Sequence, residues 1–433
     1  LRTFYPTDVL VTAPEIIFFW VARMIMSGYA FMGDAPFHTV YLHGTARDTK
    51  GRKMSKSLGN GIDPLDVVNL YGADALRYTL VAGMGLGADV MLDPQDLEKS
   101  FAPGRNFATK LWNIGRFLLT NVGTEPVLPI AEVRADQLRR ADAWILDRLD
   151  VAVRECDRAI GPLSPTTDGD VWRSEELTAG LRLNEYAETA RRFVWNELAD
   201  WYLEAVKTRL ATPGDDREVA RAVLLHVFDQ ALRLLHPIVP FVTEALWQKL
   251  PGHVDGTFLA TTTWPAASDS SESKVAAGEF DLIREIVDAA RRVRSEYNVP
   301  VSQTIEASII AGPAERRTLE SESALVMRLA RTGSVFVDSA PTGAAANVIL
   351  GGGTQIFVPL EGLIDVKKEC ARLRTELAGL EKQLASLEAR LENPGFTSRA
   401  PANVVESERA KATEWRTRRE LLRTRIEGLC GVA

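Results

Sequence analysis

The sequence predicts an α/β segment, then a mainly α-helical body, and an antiparallel coiled-coil hairpin after it. Three observations carry this. Strand-like and helical runs alternate over the first 70 residues, and helical periodicity alone fills residues 103–250. Apolar residues then repeat at alternating steps of four and three from Val366 to Leu391. Parallel sheets with crossover helices, helix bundles and heptad seams produce these three patterns.

In chain order, residues 8–12 form an apolar strand run. Residues 15–26 place Ile16, Phe19, Trp20 and Arg23 at helical spacing, and residues 39–43 are a second strand. Asp63-Pro64 starts a helix, with Asp as N-cap and Pro at the first helical position. Ligands of such sheets bind at the carboxyl ends of strands, where His43 and the loop after it fall. Helices are predicted over 107–119, 141–159, 175–210 and 216–250, the last kinked by Pro237 and Pro240. A Ser-, Thr- and Asp-rich loop over 257–272 leads to a small α/β module. That module has a helix over 280–296 and strand runs at 305–310, 334–337 and 354–360.

The hairpin is the most regular part. Its first seam runs Val366, Cys370, Leu373, Leu377, Leu380, Leu384, Leu387, Leu391, and Asn393-Pro394-Gly395 stops it. A second seam returns through Val405, Ala412, Trp415, Leu422, Ile426 and Leu429. The first helix would be roughly 40 Å long. The far side of the second helix carries Arg409, Lys411, Arg416, Arg418, Arg423 and Arg425. That stripe is a solvated coiled-coil face, a dimerisation arm, or a surface for phosphates.

The 433 residues are a prior for about three domains, and 46% hydrophobic with 25% charged residues is ordinary for a globular protein. No secretory signal and no apolar run of membrane-span length is expected. Cys156, Cys370 and Cys430 lie far apart with no CxxC pair, so neither a zinc site nor a disulfide framework is expected, and a reducing, cytoplasmic setting is. The net charge is −7. Residues 366–433 nevertheless hold 14 Lys and Arg against 10 Asp and Glu, so positive charge concentrates in the hairpin.

Residues 51–60, GRKMSKSLGN, have no apolar face at period two or 3.6. Lys53 and Lys56 flank Met54 and Ser55, while Ser57, Gly59 and Gly61 keep the backbone free. Two ammonium groups on a closing loop suit phosphoryl chemistry in which charge moves onto a leaving pyrophosphate. Taken bare, K-x-x-K is equally a solvated basic loop.

His43-Gly44, Asp48, Gly51, Lys53-Met-Ser-Lys-Ser57, Gly59-Asn60 and Asp63-Pro64 resemble the second signature of class I aminoacyl-tRNA synthetases. Tyr71-Gly-Ala-Asp-Ala-Leu-Arg77 is similar to the helix that follows it in the branched-aliphatic subgroup. Residues 8–12, 16–24, 106–112, 200–204 and 236–244, with the leucine hairpin, resemble the valyl-tRNA synthetase family in particular. The resemblance implies four segments: the second half of a Rossmann-like catalytic domain over 1–102, a helical anticodon-binding domain over 103–270, a junction module over 271–362 and a tRNA-binding arm over 363–433.

It also implies roles. Lys53 and Lys56 would bind ATP phosphates, and Met54, Ser55 and Ser57 would belong to the same ATP-binding loop. His43 and Gly44 would line the adenine side, and Trp20 would wall the aminoacyl pocket. Glu15, in Thr12-Ala13-Pro14-Glu15 where relatives carry Asp after Thr-Gly, would contact the ribose. The arm cations would meet tRNA. The implied substrates are valine, ATP with Mg2+ held by no dedicated protein site, and tRNA(Val), handled by a monomer. No His-x-Gly-His motif occurs among His38, His43, His226, His236 and His253, and no inserted editing domain is present. The expectation is therefore the C-terminal portion of a valine–tRNA ligase, inactive alone. The alternative is a stand-alone tRNA-binding module with a vestigial nucleotide site.

Overall fold

The computed structural model describes residues 4–430 except 86, 124, 162–180, 253, 269–272, 301, 340–344, 361, 364–365 and 398–401. The protein is mostly helical with a few small sheets, in two compact units, Leu1–Ala277 and Gly278–Ala433.

In the first unit, β1 (Thr7–Thr12) and β2 (Phe37–Leu42) pair in parallel, so a crossover must join them. The crossover is a continuous helical run: a 3-10 turn Pro14–Ile16, a π segment Ile17–Val21, and helix α1 (Ala22–Met32). Gly33 ends it in the left-handed conformation at φ 75°. This run corrects one expectation. Pro14–Met32 is long and apolar enough to cross a membrane, with a mean hydropathy of 1.3 in its best window. Glu15 and Arg23 break the apolar run in the sequence and hide its length. Only Val21 and Gly28 on it are buried.

A second parallel pair, β3 (Ala46–Arg47) and β4 (Val90–Met91), brackets the lysine loop and helices α2 (Pro64–Tyr71) and α3 (Ala73–Gly83). Asp63 caps α2 as expected, accepting the Leu65 N–H at 2.9 Å. Val67, Val90, Leu92 and Phe101 form the small core beneath.

The bundle consists of α4 (Leu97–Val122), α5 (Arg140–Ile160), α6 (Leu183–Arg192), a π segment Phe193–Tyr202, α7 (Leu203–Ala211), α8 (Asp215–Leu235) and α9 (Pro240–Trp247). The predicted break at Pro237 and Pro240 separates α8 from α9. Of the helix expected over 175–210, residues 175–180 lie outside the described residues. Asp74 and Arg77 of α3 fasten the bundle to the small sheets. The Asp74 carboxylate accepts the Phe241 and Val242 N–H groups at the start of α9, at 3.2 and 2.7 Å. Arg77 donates to the Pro237 and Ile238 carbonyls that the break leaves unpaired, at 2.8 and 3.0 Å. Burial raises the Asp74 pKa.

The second unit has α10 (Ser273–Glu296) from Gly278 onward and a four-stranded sheet of β5 (Ile305–Ile310), β6 (Thr332–Val337), β7 (Ala345–Ile349) and β8 (Gln355–Pro359), in the order β6-β5-β8-β7. Helices α11 (Pro313–Ser321) and α12 (Ser323–Ala330) make the parallel crossover from β5 to β6. These helices and β7 are absent from the sequence reading. Buried Arg294 closes the end of α10 against the carbonyls of Pro300, Gln303 and Arg331.

The hairpin forms as expected from α13 (Val366–Glu392) and α14 (Ala402–Cys430), with a helical turn Pro394–Thr397 between them. Cys370, Leu373, Leu380, Leu384, Leu387, Val405, Ala412 and Leu422 are buried along the seam. One expectation fails: Cys370 and Cys430 are joined in a disulfide. Antiparallel helices bring the two ends together although 60 residues separate them in sequence. Cys156 is a buried free thiol.

Candidate functional site: a braced lysine loop

The loop over 48–63 starts in a tight turn that needs glycine. The Gly51 N–H donates to the Asp48 carbonyl at 2.9 Å, and Gly51 has φ 75°. Asp48 is buried, and its carboxylate gathers four donors. They are the Lys50 and Arg52 N–H groups, the Arg52 guanidinium and the Asn60 amide, all within 3.0 Å. The Asn60 amide first, then Arg52 and Lys50, hold the Asp48 carboxyl well below the usual carboxylate range. Buried Asn60 also reaches the Lys53 carbonyl at 3.3 Å and accepts the Ser55 N–H at 2.9 Å.

Met54 is the loop's apolar anchor. Its N–H donates to the Ala46 carbonyl at 3.2 Å, and its side chain packs on the Val67–Phe101 cluster. Ser55 Oγ accepts the Leu58 N–H at 3.3 Å and lies 3.2 Å from Ser57 Oγ. Met54, Ser55 and Ser57 thus shape the loop. Lys53 and Lys56 are left outside the frame. Lys53 Nζ donates to Glu15 Oε1 at 3.1 Å. Lys56 is exposed at the tip, and its ammonium meets no carboxylate among the described residues.

Glu15 sits in the 3-10 turn after β1. A backbone hydrogen bond and then Lys53 lower its pKa. His43 follows β2, and its backbone N–H donates to the Thr12 carbonyl at 3.0 Å. Its Nδ1 lies 2.6 Å from the Gly44 carbonyl and must donate there, which leaves Nε2 an open acceptor in the neutral ring. Gly44 is required by packing, since a Cβ there would strike the Ala88 carbonyl. Thr45 and Arg47 clamp Asp89 of the same passing segment, and the Thr45 N–H chiefly depresses its pKa to about 2. Trp20 lies in the π segment Ile17–Val21 and is 57% exposed, so it is no core residue of this chain. One extra residue per turn re-aims side chains there, a feature often found at functional sites.

The structure therefore joins Glu15 to Lys53 directly and places Glu15, His43 and the lysine loop after the carboxyl ends of β1, β2 and β3. The sequence reading assigned no work to Asp48 and Asn60. Their signal was the turn preference of Asp and Asn, which hydrogen-bond nearby backbone.

On the hairpin, the expected free basic stripe is partly neutralised. Arg416, Arg418 and Arg423 cross to Glu388, Glu376 and Glu381 of α13, each at 2.8 Å. Lys411 stands over the Trp415 ring, 4.9 Å from its centroid. Arg409 is exposed without an ion-pair partner among the described residues, and the Arg425 side chain lies outside them. Acidic residues on α13 at the flanks of the seam, unweighed from sequence, explain the pairing.

The family matches define a class I aminoacyl-tRNA synthetase segment. Residues 1–93 match the family of class I tRNA synthetases for isoleucine, leucine, methionine and valine. Residues 169–309 match the anticodon-binding domain of tRNA ligases, and 365–430 match the valyl tRNA synthetase tRNA binding arm. Valine–tRNA ligases of Symbiobacterium thermophilum and Geobacter sulfurreducens are each 39% identical, over 98% and 99% of this chain. That of Geobacillus stearothermophilus is 38% identical over 99%. This chain belongs to the valine–tRNA ligase family, and it spans 46% of the length of each of these relatives. Among solved structures, a ternary complex of Agrobacterium radiobacter K84 LeuRS aligns at a TM-score of 0.43 and 17% identity, over 77% of this chain and 37% of that one.

Proposed function

We propose that this chain supplies the pyrophosphate-handling loop and the tRNA-binding parts of a valine–tRNA ligase, which activates valine with ATP and transfers it to tRNA(Val). The observation that carries the reading is the loop's division of labour. Asp48, Asn60 and Met54 fix its base, while Lys56 stays unpaired where a departing pyrophosphate needs a cation. Lys53 starts from its contact with Glu15 and is free to exchange that carboxylate for a phosphate. The open Nε2 of His43 suits an amino group of adenine. ATP supplies the phosphoanhydride whose cleavage drives activation, and Mg2+ travels with it. In this reading residues 1–102 hold the nucleotide and Trp20 bounds the side-chain pocket. Residues 103–270 receive the anticodon stem, 271–362 form the junction module, and 363–433 are the arm.

The apolar face of Pro14–Met32 favours this over a stand-alone RNA-binding module. Phe18, Phe19, Trp20, Met26, Tyr29 and Phe31 are all more than half exposed. Exposed large apolar side chains gathered on one helical run mark an interface. We assign it to the part of the ligase that the relatives carry beyond the matched half.

The test is valine-dependent ATP–pyrophosphate exchange by the reading frame that contains this chain. Exchange with valine, and aminoacylation of a tRNA(Val) transcript, are expected. Exchange that responds to isoleucine or leucine and ignores valine overturns the reading.

A further inference from the structure

The two flanks of the hairpin seam are not alike. On one flank Glu381 and Glu388 meet Arg423 and Arg416 one heptad apart. The other begins with Glu376 on Arg418 and ends with Arg390 on Glu408, the two α13 residues lying two heptads apart. Between those two pairs stands Gln383, one heptad from each, where an ion pair would continue the row. Small residues flank it, Gly379 and Ser386, and a groove of about 720 Å³ opens there. Trp415, half-buried against Leu384, Leu387 and Ala412, forms part of its wall. Lys382 and Lys411 stand at the groove without a carboxylate partner among the described residues.

We propose that this groove holds one unpaired nucleotide of an RNA, its base stacked on Trp415 and its flanking phosphates on Lys382 and Lys411. Among these features only the tryptophan offers a base-sized flat face, and the two free lysines select a polyanion. Elsewhere along the seam Arg416, Arg418 and Arg423 are spoken for by glutamates. The cation–π contact of Lys411 does not block the site. At an exposed position it is worth less than a stacked base, so the base takes the ring and the ammonium turns to the phosphate. A Glu at position 383, facing a groove lined by Lys382 and Lys411, would have closed the gap, whereas Gln leaves it open and can hydrogen-bond a base edge. The inference rests on the reading that the arm contacts tRNA and adds where and how it does so.

Three variants of the full chain, with the tRNA(Val) transcript as probe at two salt concentrations, test it. Trp415→Ala should weaken binding about tenfold with the salt slope unchanged, because stacking releases no counterions, and Trp415→Phe should restore most of it. Lys382→Ala should weaken binding and lower the salt slope by about one. Since Trp415 also packs on the seam, Gly379→Gln separates binding from folding. A Cβ at 379 meets nothing within 4 Å, so the side chain fills the groove while improving the helix. Lost affinity with an unchanged or raised melting temperature supports the groove. Wild-type affinity for both Trp415→Ala and Gly379→Gln overturns it. If the chain truncated after residue 363 binds the transcript less well while those two variants do not, the arm reading stands and the groove falls. If that truncation binds as the intact chain does, the arm reading itself has failed.

Discussion

Lys53 and Lys56 are three residues apart and electrostatically unlike. Lys53 is held by Glu15 and Lys56 by nothing charged among the described residues, so their removal should read differently. In the complete ligase Lys56→Ala is expected to lower the adenylation rate constant by a hundredfold or so, in line with about 10²–10³ for a lost transition-state donor, with the valine KM little changed. Rapid-quench measurement of adenylate formation checks this, and a raised KM at an unchanged rate would refute the assignment. Asp48 gives the loop a pH range. Its carboxyl is depressed in the fold, so the stabilisation is complete above the ordinary value near 4 and fades only as pH falls towards the folded value. The loop is therefore braced across the whole working range of an enzyme. Trp20 makes a second residue-scale expectation. Being 57% exposed in this chain, it should lose far less stability on change to alanine than the ~3–5 kcal/mol of a core tryptophan. Exchange assays with Trp20→Ala should then show isoleucine admitted beside valine. Large destabilisation with unaltered amino-acid preference would return Trp20 to a packing role.

Among the elements, legibility follows how local the determining physics is. The heptad seam and the Asp63-Pro64 cap were readable because spacing along one helix, or one side chain bonding its own backbone, decides them. The break between α8 and α9 was readable because two prolines remove donors. Strand β7 was not, since Ala345, Ala346 and Asn347 have poor strand propensity and become a strand only by pairing with β8. The π segments kept a helical pattern, and nothing in Ile17–Val21 or Phe193–Tyr202 announces an extra residue per turn. The disulfide needed the hairpin to exist first. Joining residues 60 apart, it constrains the unfolded chain by about 4 kcal/mol in the chain-entropy account. Cys370→Ser, or reduction of the intact chain, is expected to lower the thermal midpoint of the hairpin, followed by helix signal at 222 nm. Identical melting with and without a dithiol would show that the seam alone holds it. Leu384→Ala, at a buried seam position, should cost about 2–5 kcal/mol in the same measurement.

At the scale of the whole molecule, charge is divided unequally, with the excess of Lys and Arg in the hairpin of a chain whose net charge is −7. On the proposed function, activation of valine would engage the loop after β3, whereas tRNA would engage surfaces that carry no part of that chemistry. The two steps should therefore separate on truncation. Removing residues after Leu363 from the ligase takes away α13 and α14 with their seam, and leaves the strands of the second unit. Helix α14 packs on β7, but the pairing of β7 with β8 lies wholly before the cut. Valine-dependent pyrophosphate exchange, which needs no tRNA, is expected within about twofold of normal. The KM for tRNA in aminoacylation should rise at least tenfold, and the slope of log affinity against log salt should flatten as phosphate contacts are lost. The competing use of a leucine seam is to pair two chains. Sedimentation of intact and truncated protein decides between them: a dimer that dissociates on truncation while tRNA affinity holds would make the hairpin a subunit clasp. Each helix already buries its seam on the other within one chain, with Leu384, Leu387 and Ala412 almost wholly covered, so the seam is not left over for a second copy and a monomer that loses only tRNA is the expected result.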